Sequence, residues 1–312
     1  MNIKALLVFA LVIIAIGVGS LIVRWVPESF NFTFPSGPSE RPAPRTQTTK
    51  PPQSRPATPA PKTEVRPEPE TNPRLAIATS SIPFGFTREQ LSLKFRKVRI
   101  SSVVRKPSAK DAETLTLSVS LSRDETVTIS GWRVETKTNV FKIPRIPRTH
   151  DPFGSNPAED LALKSGDTVR VYGSAPRLGA GFRLNACVGY LETLNFGFRP
   201  ALPKTCPSLY KSTAEISRFS SKCQDYIRSL NSCEYPSGNP PVPADDTACR
   251  DFLNGINYGG CYSARKNDDS FLSREVRIWL GSLAQDFHFL NDTHDRVLLF
   301  DEKGFLVSDY TY

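Results

Sequence analysis

The chain has 312 residues, with 40 Lys+Arg against 31 Asp+Glu and 27 prolines against a single methionine. That length allows one or two folded units plus accessory segments. A single apolar run is long enough to span a bilayer, which excludes a polytopic membrane protein, and the lack of a Gly-x-y period excludes a collagen.

The apolar run, residues 5–23, holds nineteen residues without a charge between Lys4 and Arg24. At about 1.5 Å per residue it matches the roughly 30 Å hydrocarbon core of a bilayer. Trp25 follows where an interfacial aromatic sits. A cleaved signal peptide has a shorter apolar region, about 7–15 residues, closed by a small-x-small site. The expectation is an uncleaved single-pass anchor over residues 1–26, which partners the membrane through residues 5–23. Composition then changes abruptly: thirteen of the 47 residues from 27 to 73 are proline. Such a stretch buries too little apolar surface to offset its chain entropy, so residues 27–74 are expected to form a disordered, polyproline-like spacer.

Ordered sequence begins near Leu75 and reads as strands. Leu91, Leu93 and Phe95 alternate with polar residues, then Val98 and Ile100 alternate in the opposite phase, which predicts a bulge at Arg96-Lys97. Residues 115–121 alternate cleanly as LTLSVSL, and residues 127–134 are β-rich with Gly131 as a bend. A Ser165-Gly166-Asp167 turn precedes another strand ending at Tyr172, and strands return at 276–280, 296–300 and 305–307. Trp132 and Trp279 fall inside strand patterns and are expected in the core. Many short strands with regular turns indicate a β-sandwich.

All six cysteines lie between Cys187 and Cys261, at gaps of 18, 16, 9, 15 and 11 residues. Zinc sites favour short C-x(2–4)-C spacing, whereas an even, clustered set suits disulfides in an oxidising compartment. The folded part is therefore expected outside the cytoplasm, at the C-terminal side of the anchor. Cys223-Gln-Asp-Tyr-Ile and Cys249-Arg-Asp-Phe-Leu are near-copies, 26 residues apart, each followed by a second cysteine. They predict two short helices, with Asp245 and Thr247 as candidate N-caps of the second. If the helices pack antiparallel, their ends meet, which pairs Cys233 with Cys249, Cys223 with Cys261, and Cys187 with Cys206. The competing pattern, Cys223–Cys233 and Cys249–Cys261, requires each helix to stop early, and Asn231 and the 257–260 stretch leave it open.

The runs V98-R-I-S-S-V, L115-T-L-S-V-S-L, I129-S-G-W-R-V and L163-K-S-G-D-T-V-R-V, with the ending V297-L-L-F-D-E-K-G-F-L-V-S-D-Y, resemble the lamin tail domain. R183-L-N-A-C-V-G-Y, F198-R-P-A-L-P-K-T-C-P and the two C-x-D-aromatic repeats look like its cysteine-bearing form in uncharacterised membrane-anchored bacterial proteins. The resemblance covers roughly residues 95–312. It implies an immunoglobulin-like β-sandwich over 75–312 carrying a cysteine-rich helical insertion at about 204–272, and an adhesive or scaffolding role with no catalytic residues to carry over. Two departures bear on strand boundaries: the strand before Ser130-Gly131-Trp132 lacks the Glu often found there, and the insertion is long.

Chemistry-bearing patterns are few. His288, Asp292, His294 and Asp295 cluster within eight residues, but imidazoles six apart suit no common zinc spacing, and a polar connection between strands explains them. Asp151, Glu159 and Asp160 occupy a Gly/Pro/Asn loop without the order of ligands that calcium loops use. No G-x-S-x-G elbow and no phosphate-binding glycine motif occurs, so neither an enzyme nor a cofactor is expected. The strongest signal is charge. Residues 88–110 carry Arg88, Lys94, Arg96, Lys97, Arg99, Arg105, Lys106 and Lys110 against Glu89. Such a patch suits nucleic acid or another polyanion, with Lys94, Arg96, Lys97, Arg99, Arg105 and Lys106 as candidate contacts. It equally suits the polar face of an edge strand. The expected role is a membrane-anchored extracytoplasmic binding or scaffolding module for an unidentified extracellular protein or glycan. The alternative is a surface polyanion-binding protein.

Overall fold

Alternation of apolar and polar residues decides most of the strand faces. The computed structural model describes residues 77–108, 110–208 and 213–312; the anchor and spacer expected over residues 1–74 lie outside them. No helix among the described residues is long and apolar enough to cross a membrane. The chain is mainly β. Strands β1 (Val98–Val104), β2 (Thr114–Val119), β7 (Thr168–Tyr172), β9 (Leu272–Trp279) and β8 (Gly181–Asn185) form a five-stranded sheet in the order β1-β2-β7-β9-β8. A four-stranded sheet runs β11 (Leu306–Thr311), β10 (Arg296–Phe300), β4 (Arg133–Glu135), β5 (Val140–Lys142), and β3 (Thr126–Thr128) pairs with β6 (Ala162–Lys164) as a separate ribbon. Neighbours are antiparallel except β7 and β9, which run parallel.

Leu115, Leu117, Val169, Val171, Val276 and Ile278 of the larger sheet share one core with Val134, Val297, Leu299 and Val307 of the smaller. Trp132 is 1 % exposed in this core. At one side the sheets meet edge to edge, where the Ile100 N–H donates to Ser308 Oγ at 3.1 Å.

The expectation for residues 91–97 is corrected, whereas the bend expected at Gly131 is present. Residues 91–95 are not a strand: Phe95 N donates to Ser92 O and Lys97 N to Lys94 O, so the segment turns, and Arg96 takes φ 59°. The alternation there comes from Leu91 and Phe95 dipping into a small separate cluster with Phe300 and Leu306 on the outer face of β10 and β11. The pairing irregularity lies instead between Ile100 and Ser102. The 127–134 stretch is broken at Ser130-Gly131, where Gly131 takes φ 81° and the chain passes from the ribbon to the four-stranded sheet.

Between β8 and β9 lies the helical unit: α1 (Gly189–Thr193), α2 (Thr213–Ile216), α3 (Ser221–Ser229), α4 (Thr247–Asn254) and α5 (Tyr258–Arg265). Its core joins Cys223, Ile227, Cys249 and Leu253 to Tyr172, Phe182, Leu184 and Trp279, which project from the sheet face opposite the sandwich core. β9 is thus buried on both faces, which explains its continuous buried run from Val276 to Trp279. The near-copies form equivalent helices, each burying its cysteine and the aliphatic residue four positions on. Ser220 Oγ caps α3 by accepting from Cys223 N, and Asp246, rather than Asp245 or Thr247, caps α4 by accepting from Cys249 N.

All six cysteines form disulfides, but both expected pairings are corrected. The bonds are Cys187–Cys261, Cys206–Cys233 and Cys223–Cys249. Neither repeat is a helix holding two cysteines. α3 ends at Ser229, before Cys233, and α4 ends at Asn254, so that Cys261 belongs to a third helix started by the Asn257 cap. The first-turn cysteines of the two copies therefore bond to each other, and each copy's second cysteine reaches toward α1. A Cβ on Gly189 would lie 2.2 Å from Cys233 Sγ, so α1 needs glycine where it meets the second disulfide.

Candidate functional site

The basic segment is partly consumed by its own fold. The Lys94 and Lys97 ammonium groups both reach Glu125, at 2.7 and 2.9 Å. Their hydrogen bonds hold the Glu125 carboxyl down to about 2. The Arg105 guanidinium donates to Thr293 O at 2.5 Å and lies 5.0 Å over the Tyr312 ring, fastening the connection before β10. Arg99 Nε donates to Arg96 O, and Arg96 lies over Phe95. Of the six candidate contacts, then, Lys94, Lys97 and Arg105 are half-buried and engaged, while Arg96, Arg99 and Lys106 are exposed.

The acidic and histidine clusters are dispersed. His288 Nδ1 lies 3.3 Å from Glu113, whose carboxylate also accepts from Phe289 N and Leu290 N and so fixes the 281–295 connection. Asp295 accepts from Lys137 N and Arg296 N. Asp151 shapes its own loop by accepting from Phe153 N, and Asp160 faces Arg145. Among the described residues, Cys223, Asp246 and Cys249 are the one ligand-type group that converges, and the disulfide occupies both sulfurs.

Three segments distant in sequence enclose a groove of about 500 Å³ beside β3. One wall is β3 itself. Another is the turn from Ser92 to Lys94, and the third is the Asp301–Lys303 turn with Phe305. Val127 and Trp132 line it from the core, and Leu93, 58 % exposed, adds an apolar rim. Glu302 Oε2 accepts from Trp132 Nε1 at 3.0 Å, tying the 301–303 turn to the core. Asp301 Oδ1 accepts from Lys303 N and Phe305 N, which sets the turn's shape. Sequence reasoning missed this groove. Its only local trace is the Thr-Val-Thr of β3, with one buried residue between two exposed ones. A second cavity, about 550 Å³, is lined by Arg148, Lys164, Arg274 and the ion pair Arg183–Asp167 together with Ile146 and Leu272.

The outer edge of β3 is open. Ile129 N donates to Leu161 O, and ladder bonds in an antiparallel pair recur at every second residue. Val127 therefore faces Leu163, while Thr126 and Thr128 turn their N–H and C=O groups away from β6. The amides opposite them are engaged elsewhere, Lys164 N with Asp167 and Ala162 N with Asp160 O. Two other edges are covered: Arg183 N of β8 donates to Arg148 O, and β1 abuts β11. No protein-family model and no curated protein matches the chain.

Proposed function

We propose that this chain is a non-catalytic binding or scaffolding module of the cell surface: a single-pass anchor at residues 5–23, a proline-rich spacer, and an immunoglobulin-like sandwich of the lamin-tail kind held outside the cytoplasm. One observation carries the reading. Every cysteine is in a disulfide, and the three bonds knit the helical unit together, which fits an oxidising compartment. Two facing sheets around one apolar core support the immunoglobulin-like assignment. The parallel pairing of β7 with β9 is a departure to be weighed beside it.

Protease added to intact cells tests the reading. The expected product is a soluble, disulfide-linked fragment that begins in the 27–74 spacer. A fully protected domain with free thiols overturns it. The polyanion alternative is weakened by the engagement of Lys94, Lys97 and Arg105. With about three exposed cations left, the slope of log affinity on log salt is at most about −2.7 for duplex DNA.

A further inference from the structure

We propose that residues 147–151 form an acid-released strap, which covers the outer edge of β8 and ties it to α5 while His150 is neutral and lifts away when the His150 ring takes a proton.

The strap bonds to two elements at once. Arg148 O accepts from Arg183 N of β8 at 3.2 Å, and Thr149 Oγ1 donates to Arg183 O at 3.0 Å. His150 O accepts from the Tyr258 hydroxyl of α5 at 2.5 Å. Asn185, at the end of β8, donates through Nδ2 to both Thr149 Oγ1 and the Tyr258 hydroxyl. Asn185 and Tyr258 are 3 % and 4 % exposed, so these bonds lie inside the junction of sandwich and helical unit. A bridge between Ile146 and Glu159 closes the base of the loop. Residues 147–158 can therefore move without unpicking the sandwich.

His150 is the titrating group in this network. Its ring stacks on Tyr258, with centroids 5.5 Å apart, and meets Phe182 of β8 at 6.2 Å. A neutral imidazole suits that aromatic seat, whereas an imidazolium gives up water to enter it. The packed elements do little to hold a positive charge. α5 presents Tyr258 and Tyr262, whose phenols burial pushes up and so keeps neutral. β8 presents Phe182, and its Arg183 is bound to Asp167. The strap itself carries Arg148 and Asp151. Burial pushes the His150 ring below its ordinary 6.5, and the Asp151 carboxylate pulls the other way. A histidine depressed in its seat stabilises the closed strap above 6.5, and that stabilisation is lost as pH falls through the seated value. Release frees the main-chain groups of Arg183 and opens the edge of β8.

Hydrogen exchange of the full-length protein in detergent micelles tests this, read as protection factors at about pH 7.5 and about pH 5. Acid is expected to lower protection in residues 147–158 and at Arg183, while β2 and β10 keep theirs. His150→Phe leaves an aromatic ring in the seat without a titrating group, and its protection there is expected to be the same at both pH values. The variant also separates His150 from His288 and His294, which lie in the 281–295 connection. Equal acid release in His150→Phe overturns the proposal. So does a parent whose 147–158 protection ignores pH, or one that loses protection in β2 and β10 at the same point. Where His150→Phe does not fold, Asp151→Asn decides. It keeps the acceptor for Phe153 N and removes the charge that favours the protonated ring. Its acid-induced loss is expected to continue to lower pH than the parent's, and an unmoved pH profile overturns the proposal.

Discussion

Trp132 joins two roles at one position: its ring fills the sandwich core, and its indole N–H holds the 301–303 turn through Glu302. Trp132→Ala is expected to cost about 3–5 kcal/mol, enough to unfold a marginal domain. Trp132→Phe keeps most of the packing and is expected to cost about 1 kcal/mol more than the volume change alone for the lost hydrogen bond. Thermal denaturation of both variants checks the pair, and a Trp132→Ala protein that melts with the parent would contradict the core placement. Glu125 offers a second residue-scale test. Its folded carboxyl titrates near 2 rather than near 4.5, so the stabilisation it supplies is present above about 4.5 and is lost as pH falls toward 2. The stability gap between the parent and Glu125→Gln, measured by denaturant melts across acid pH, is expected to narrow through that window. A gap that is flat with pH would mean that Lys94 and Lys97 do not hold the charge in solution.

At the scale of elements, legibility followed how local the cause was. β2 was readable because its Leu and Val positions alternate with polar residues, whereas β10 was readable as a short apolar run because it is covered on both faces. The Ser165-Gly166 turn was readable because Gly166 takes φ 83°. Leu91 and Phe95 misled because a run of tight turns over a small apolar cluster can imitate alternation. The disulfides were illegible for a sharper reason. Their pattern depends on a break at residues 255–257, where Asn257 caps a new helix, and spacing alone does not reveal it. The groove needed three distant segments and left almost no sequence trace. Non-reducing peptide mapping is expected to recover Cys187 linked to Cys261, Cys206 to Cys233, and Cys223 to Cys249; a Cys223–Cys233 peptide would refute this arrangement. By loop-closure entropy the bond spanning 26 residues is worth about 3.5 kcal/mol and the one spanning 74 about 4.4 kcal/mol.

Across the whole domain, stability is divided unevenly between two cores on opposite faces of one sheet. The sandwich core contains no cysteine, whereas the core of the helical unit contains four buried ones. Reduction should therefore act on one half first. Under a mild reductant, hydrogen exchange is expected to speed up in α3, α4 and α5 while β2 and β10 keep their protection. Simultaneous loss in both halves would show that the helical unit is required for the sandwich to stand.

Asn185 and Leu272 are register partners on neighbouring strands, so the chain leaves the sheet and re-enters it at the same rung. A segment with that geometry can be gained, shortened or exchanged at a single hairpin turn, without re-threading any strand. Its removal has a definite surface consequence. Tyr172, Phe182, Leu184 and Trp279 would become an apolar face open to water, so a sandwich that lacks the cysteine-rich unit needs polar residues at those four positions.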